Sequence, residues 1–295
     1  AMKKRPQNKN KKTTKQVRKI PFLWKNLHQT KEDIFVFWKP LLAVISVYAL
    51  SYATAVIGLN FVIPQWTSQT TTGVLASEKN PETITKVADS LSQAVSFVSG
   101  DQASTFVQFI LFLVGSLAFI WALRKIRKLD KVKVYQAYYE GTAQLVPAFL
   151  LCIILILFLV PISIGTTILS AGIAFASSTT DYLLVYGSFF SLSLLSIWLF
   201  AKYWPSFYII TLPSIRPIYA LKQAGALTRG HRFNITIQVI GFLILSVIVF
   251  VPLLLLFALI LPKVTPYWLF ILLFIYFGVA HVFMFNIYRG LVDGD

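Results

Sequence analysis

Cysteine is almost missing from this chain of 295 residues: Cys152 stands alone. One thiol can build neither an internal disulfide framework nor a thiolate metal cluster. Carboxylates are scarce too, with 11 Asp and Glu against 27 Lys and Arg, a net charge of +16. Glu78, Glu82, Asp89, Asp101 and Asp181 fall between apolar stretches, and no other carboxylate sits securely inside one. Proton or cation relays within a membrane use buried Asp or Glu, so that coupling is not expected. Catalytic frameworks are also missing. There is no phosphate-cradling G-x-x-x-x-G-K-[ST], no G-x-S-x-G elbow, no H-E-x-x-H and no Cys-x-x-Cys. Nucleotide hydrolysis, serine esterase chemistry and zinc chemistry lack their usual supports. An intramembrane enzyme acting on lipid is the weakest of three readings, since no acid, base and nucleophile set converges in the sequence, and no cofactor or metal is expected.

Hydrophobic residues make up 57% of the chain and charged ones only 13%, which excludes an ordinary soluble domain, where about a quarter of residues are charged. The apolar residues come in blocks. Spans are expected near 36–63, 104–124, 146–174, 183–212, 236–262 and 266–289, each at or beyond the roughly 20 residues needed to cross a bilayer. The fold class is therefore all-α: a polytopic integral membrane protein of six transmembrane helices occupying 20–295, preceded by a basic tail. Residues 1–19 hold Lys, Asn, Gln and Thr with little apolar surface to bury, a composition for disorder. That polar stretch has no apolar core, so no cleavable leader is expected and the first span must do the targeting.

Positive charge flanks alternate ends of the spans. Eleven Lys and Arg precede the first span. Arg124, Lys125, Arg127, Lys128, Lys131 and Lys133 follow the second; Arg216, Lys222, Arg229 and Arg232 follow the fourth; Arg289 ends the sixth. The other side keeps Lys79, Lys86 and Lys263. The positive-inside rule then places both termini in the cytoplasm of a cell membrane crossed several times. Trp38, Trp121 and Trp204 anchor the cytoplasmic ends, and Trp66 and Trp268 the external ones.

Mixed polar and aromatic stretches at 20–35, 133–145 and 217–233 each precede an odd-numbered span. They read as cytoplasmic amphipathic helices at the interface, so the chain loosely repeats an interfacial helix and a hairpin three times. Within the external loop 64–103, Ile84, Val87, Leu91, Val95 and Val98 share one helical face. It is read as a helix lying on the membrane, or else a docking lid. Basic residues beside a membrane meet headgroups, so lipid, anionic lipid above all, is the expected partner, with a protein at the cytoplasmic face as the other candidate. No specific nucleic acid is expected. Arg124, Lys125, Arg127, Lys128, Arg229 and Arg232 are the candidate lipid or partner contacts.

A second reading is a small-molecule or lipid transporter. Pro161 with Gly165, and Pro205, break the third and fourth apolar stretches, and paired broken helices build midplane sites in some transporters. Pro161, Gly165, Lys202 and His281 would line such a site. Each has a plainer reading: a kinked packing helix for the first two, a helix end near Pro205 for Lys202, and a neutral cross-helix hydrogen bond for His281. Around Ser163, Thr167 and Ala171, small residues at four-residue spacing suit close helix packing.

The segment ALKQAGALTRG, Ala220 to Gly230, follows an apolar run ending Ile209, Ile210, Thr211, Leu212 and Pro213. It resembles the cytoplasmic motif, roughly A-L-k-x-S-x-x-l-t-x-G, of six-helix membrane proteins that include the membrane domain fused to some glycerophosphodiester phosphodiesterases. Tyr135 to Gly141, with Leu145 to Leu150, is similar to the basic and aromatic segment before that group's third helix. The resemblance spans about 105–290 and implies the membrane scaffold without the hydrolase. Ala224 stands where that family usually has serine, so a role tied to that hydroxyl is not implied. Physically the segment is an amphipathic helix, with Arg229 and Arg232 near its carboxyl end, favoured by the helix dipole, and Gly230 as terminator.

Overall fold

A computed structural model describes residues 23–62, 102–128, 132–261 and 264–293. The basic tail 1–19, most of the loop 64–103 with its amphipathic face, Lys131 and Lys263 lie outside the described residues. Those described are helical, without strands. The helices are α1 (Leu23–Val62), α2 (Gln102–Arg127), α3 (Val134–Gly141), α4 (Leu145–Leu157), α5 (Val160–Phe175), α6 (Thr179–Tyr203), α7 (Ser206–Ile209), α8 (Pro217–Leu227), α9 (Arg232–Ile260) and α10 (Thr265–Val292). Among them are six helical stretches long and apolar enough to cross a membrane. This is consistent with a multi-pass membrane protein.

Proline sets the breaks. In α1 the backbone leaves helical geometry at Phe37 (φ −112°, ψ 22°), three residues before Pro40. Pro40 has no N–H for the Val36 carbonyl and its ring presses on that turn. A first arm, 23–36, is thereby set off from the apolar shaft. The expected third span is not one kinked rod: α4 ends at Leu157, and Pro161 takes a first-turn position in a new helix. A proline is tolerated there because the amide it lacks would be unpaired anyway. Helix α6 ends at Tyr203, and Pro205 opens the short α7. Its start is earlier than expected, at Thr179. There the Ser178 hydroxyl accepts from the Asp181 amide, and the Asp181 carboxylate accepts from the Ser178 amide at 3.0 Å. This reciprocal box satisfies two otherwise free donors.

The core forms around α2. Leu113, Leu117, Ala118, Phe119, Ile120 and Ala122 on it are fully buried. Phe119, Tyr48 of α1, Phe242 of α9 and Phe277 and Phe283 of α10 make the main cluster. Phe242 stacks on Phe283 with centroids 4.4 Å apart. A second cluster joins Leu117 to Leu151 of α4, Ile210 after α7, and Ala220 and Ala224 of α8. The α5–α6 hairpin packs chiefly on itself, and its outer residues, Phe175, Leu183 and Phe190, are exposed.

Short α3 lies against α2, and Gly141 makes that approach possible. A Cβ there would come within 2.9 Å of the Ala118 Cα, a backbone atom that cannot rotate away. At Gly187 the same Cβ would meet nothing within 4 Å. Overpacking typically costs about 1–3 kcal/mol, so Gly141→Ala is expected to lower the thermal unfolding midpoint in detergent clearly, and Gly187→Ala to leave it unchanged or raise it. Equal midpoints would contradict the packing described.

Candidate basic-end site

The basic residues fall at the end of the bundle where α2 and α10 finish and α1 and α9 begin. They are not equivalent there. Arg127 turns inward and pairs with Asp33 of α1; the two side chains are 25% and 13% exposed. Arg127 also donates to the Asn286 Oδ1 of α10 at 3.1 Å. Asn286 in turn donates to the Asp33 Oδ2 at 3.0 Å and to the Thr30 Oγ1 at 3.3 Å. One turn earlier Asn26 donates to Gln238 of α9, and Gln238 reaches Asn234 at 3.4 Å. Asn26, Thr30, Gln238 and Asn286 are buried. This network joins four helices.

Arg124 has a different task. Helix α7 ends at Ile209, which leaves the Tyr208 carbonyl without a helical partner; it accepts from the Thr211 hydroxyl at 2.8 Å and from the Arg124 guanidinium. Tyr208 is buried, stacked on Tyr288 with centroids 5.5 Å apart. Lys125 and Lys128 remain toward the outside. With Arg124, Trp121, Glu140 and Gln144 they line a cleft of about 310 Å³, and the Lys125 Nζ sits 5.3 Å from the centre of the Trp121 ring.

Arg229 and Arg232 line a separate, open cleft of about 660 Å³ with Gly225, Ala226, Gly230 and Phe233. Its shape follows from the turn between α8 and α9. Thr228 is buried and caps α8, its hydroxyl donating to the Ala224 carbonyl at 3.0 Å and the Lys202 carbonyl at 3.2 Å. Gly230 then takes φ +90°, which a side chain would strain. Helix α8 is therefore less of a surface helix than its sequence suggests: Ala220 and Ala224 are fully buried, while Ile218 and Tyr219 are exposed. Ala224 is fully buried in the second cluster.

The four residues of the transport reading are not gathered. Gly165 is buried against α6, where a Cβ would meet the Leu192 Cβ at 3.3 Å, and Pro161 lies one turn before it. Lys202 packs its Nζ over the Tyr203 ring at 4.4 Å, beside α8. His281 keeps its Nδ1 2.9 Å from the Phe277 carbonyl of its own helix. It borders a mainly aromatic cavity of about 480 Å³ between α1, α2 and α10; neither Pro161, Gly165 nor Lys202 lines it.

Comparison of the chain with family models, curated proteins and solved structures returns no match. The residues that organise this end were missed by sequence reasoning: Asn26, Thr30, Asp33, Gln238 and Asn286. One signal was available, since Asn26, Thr30 and Asp33 recur at helical spacing and share a face. No group of three or more metal-ligating side chains occurs among the described residues.

The Asp33–Arg127 pair can be tested by a double-mutant cycle. Hydrogen bonds to charged groups are worth about 1.5–3 kcal/mol. Asp33→Ala and Arg127→Ala are each expected to destabilise by about that much, and the double variant by well under their sum. Additive losses in denaturant unfolding would mean the two charges do not act together.

Proposed function

We propose that this is a non-enzymatic, multi-pass integral membrane protein, both termini cytoplasmic, whose basic end binds anionic lipid headgroups. The observation that carries the reading is the mixed outer surface of the first arm of α1. Trp24, Phe35 and Val36 are 70%, 69% and 69% exposed beside exposed Lys25, His28, Lys31 and Glu32, while Asn26 and Thr30 are buried. Large apolar side chains set among cations suit a helix lying at a membrane interface, its apolar residues toward acyl chains and its lysines at the headgroups.

Lys125, Lys128, Arg229 and Arg232 then stand at headgroup level on two clefts, where each cation contributes about 1 kcal/mol toward an anionic surface. Arg124 and Arg127 contribute indirectly, by holding the bundle end in shape. The resemblance of Ala220–Gly230 to the six-helix membrane family supports the same scaffold. The transport reading keeps one supporting feature, the cavity beside His281. It lacks the convergence of polar groups that a midplane site requires, so lipid contact is preferred.

The test is to reconstitute the full chain in vesicles of phosphatidylcholine with phosphatidylglycerol, extract it gently and identify the retained lipid by mass spectrometry. Phosphatidylglycerol is expected to be enriched over its share of the bilayer, less so at high salt and less so in Lys125→Gln/Lys128→Gln. Retained lipid matching the bulk composition at low salt would reject the reading and leave a protein partner as the use of the basic face.

A further inference from the structure

The two clefts of the basic end differ in charge. Glu140 faces Arg124, Lys125 and Lys128 in one. Among the described residues the lining of the other includes Arg229 and Arg232 and no carboxylate. Both arginines border that second cleft, and the Arg232 Nε, buried beneath its surface, has no hydrogen-bond partner among the described residues. A buried donor left unpaired is destabilising, and a guanidinium offers its donors in a planar fork suited to phosphate oxygens. Helix α9 starts at the same place. It has 29 residues, and His231 provides no side-chain cap for its first turn. The first-turn amides therefore add to the positive potential at the cleft. Beside the charges lies an apolar track: Phe233 is 78% exposed and Ile237, one turn on, 41%.

We propose that the Arg229–Arg232 cleft is a discrete site for a phosphate monoester headgroup, with the acyl chains of the same lipid running along Phe233 and Ile237. This rests on the anionic-lipid reading above and narrows it from a charged surface to one site. Two guanidinium charges match the near-dianion that a monoester carries at neutral pH. The adjoining apolar track favours a phospholipid over free phosphate, although the phosphate chemistry is common to both.

The experiment uses the full chain in nonionic detergent, titrated with dioctanoyl phosphatidic acid, dioctanoyl phosphatidylcholine or inorganic phosphate. Phosphatidic acid is expected to bind, and phosphatidylcholine far more weakly. Arg229→Gln/Arg232→Gln should weaken phosphatidic acid about tenfold or more, since removing one charge-assisted hydrogen bond to the phosphate lowers affinity several-fold. Lys125→Gln/Lys128→Gln should change it less than about threefold, because those charges lie on the other cleft. Arg229→Lys/Arg232→Lys keeps the charge and loses the fork, so it should fall between wild type and the Gln pair. Arg229 is exposed, so Arg229→Gln alone covers the case in which the double variant does not fold, and it should weaken binding about threefold.

Equal losses from both Gln pairs, or full binding by the Lys pair, would overturn the site while leaving general anionic-lipid binding intact. Inorganic phosphate binding as tightly as phosphatidic acid would overturn the lipid assignment. Failure of the wild-type chain to retain any anionic lipid from vesicles would sink both readings.

Discussion

The Asp33–Arg127 pair is the interaction on which the basic end depends. It places two opposite charges between helices whose other surfaces are mostly apolar, where an unpartnered charge is strongly disfavoured. Asn286 bonds both members, so α1, α2 and α10 cannot shift independently without leaving a part-buried charge unpaired. Gln238 and Asn26 extend the tie to α9. Such networks are poor sources of net stability compared with apolar packing, but they set register among helices that grease alone would let slide.

The register has consequences for the clefts. Arg124 and Arg127 lie three residues apart on α2, pointing into the protein with different partners, Tyr208 on one side and Asp33 on the other. Lys125 and Lys128 lie on the remaining face and border the smaller cleft. A single basic run thus separates into structural and surface-facing charges by helical geometry. The larger cleft arises from another device, a helix end closed by Thr228 and reversed at Gly230. That turn brings Arg229 and Arg232 together at the start of a long helix.

Breaks in the apolar stretches supply the irregular backbone that the clefts need. Pro40 detaches the first arm of α1, Pro205 ends α6, and the end of α7 at Ile209 leaves the Tyr208 carbonyl to Thr211 and Arg124. Around Pro205 side chains take up carbonyls at the break, the Ser206 hydroxyl donating to the Tyr203 carbonyl and the Thr228 hydroxyl to the Lys202 carbonyl. Pro161 behaves otherwise. It starts α5, whose partner is mainly α6, so that hairpin stands apart from the network and from the cavity beside His281.

Much of the fold was legible in the residues. Long apolar blocks give helices because backbone polar groups must pair locally, and prolines at 40 and 205 mark real breaks. Gly230 terminates as its sequence context suggests. The division of the third block into α4 and α5 was not legible, since proline fits equally well inside a kink or in a first turn. Arg229 with Arg232 was legible as a basic pair, but not as the rim of one cleft. By itself, then, the sequence determined the all-helical class, the apolar stretches and the segregation of charge, because these follow from local composition and period. Tertiary structure alone decided which arginines turn inward, because that depends on Asp33, Asn286 and the Tyr208 carbonyl, groups distant in the chain that only helix packing brings within hydrogen-bonding reach.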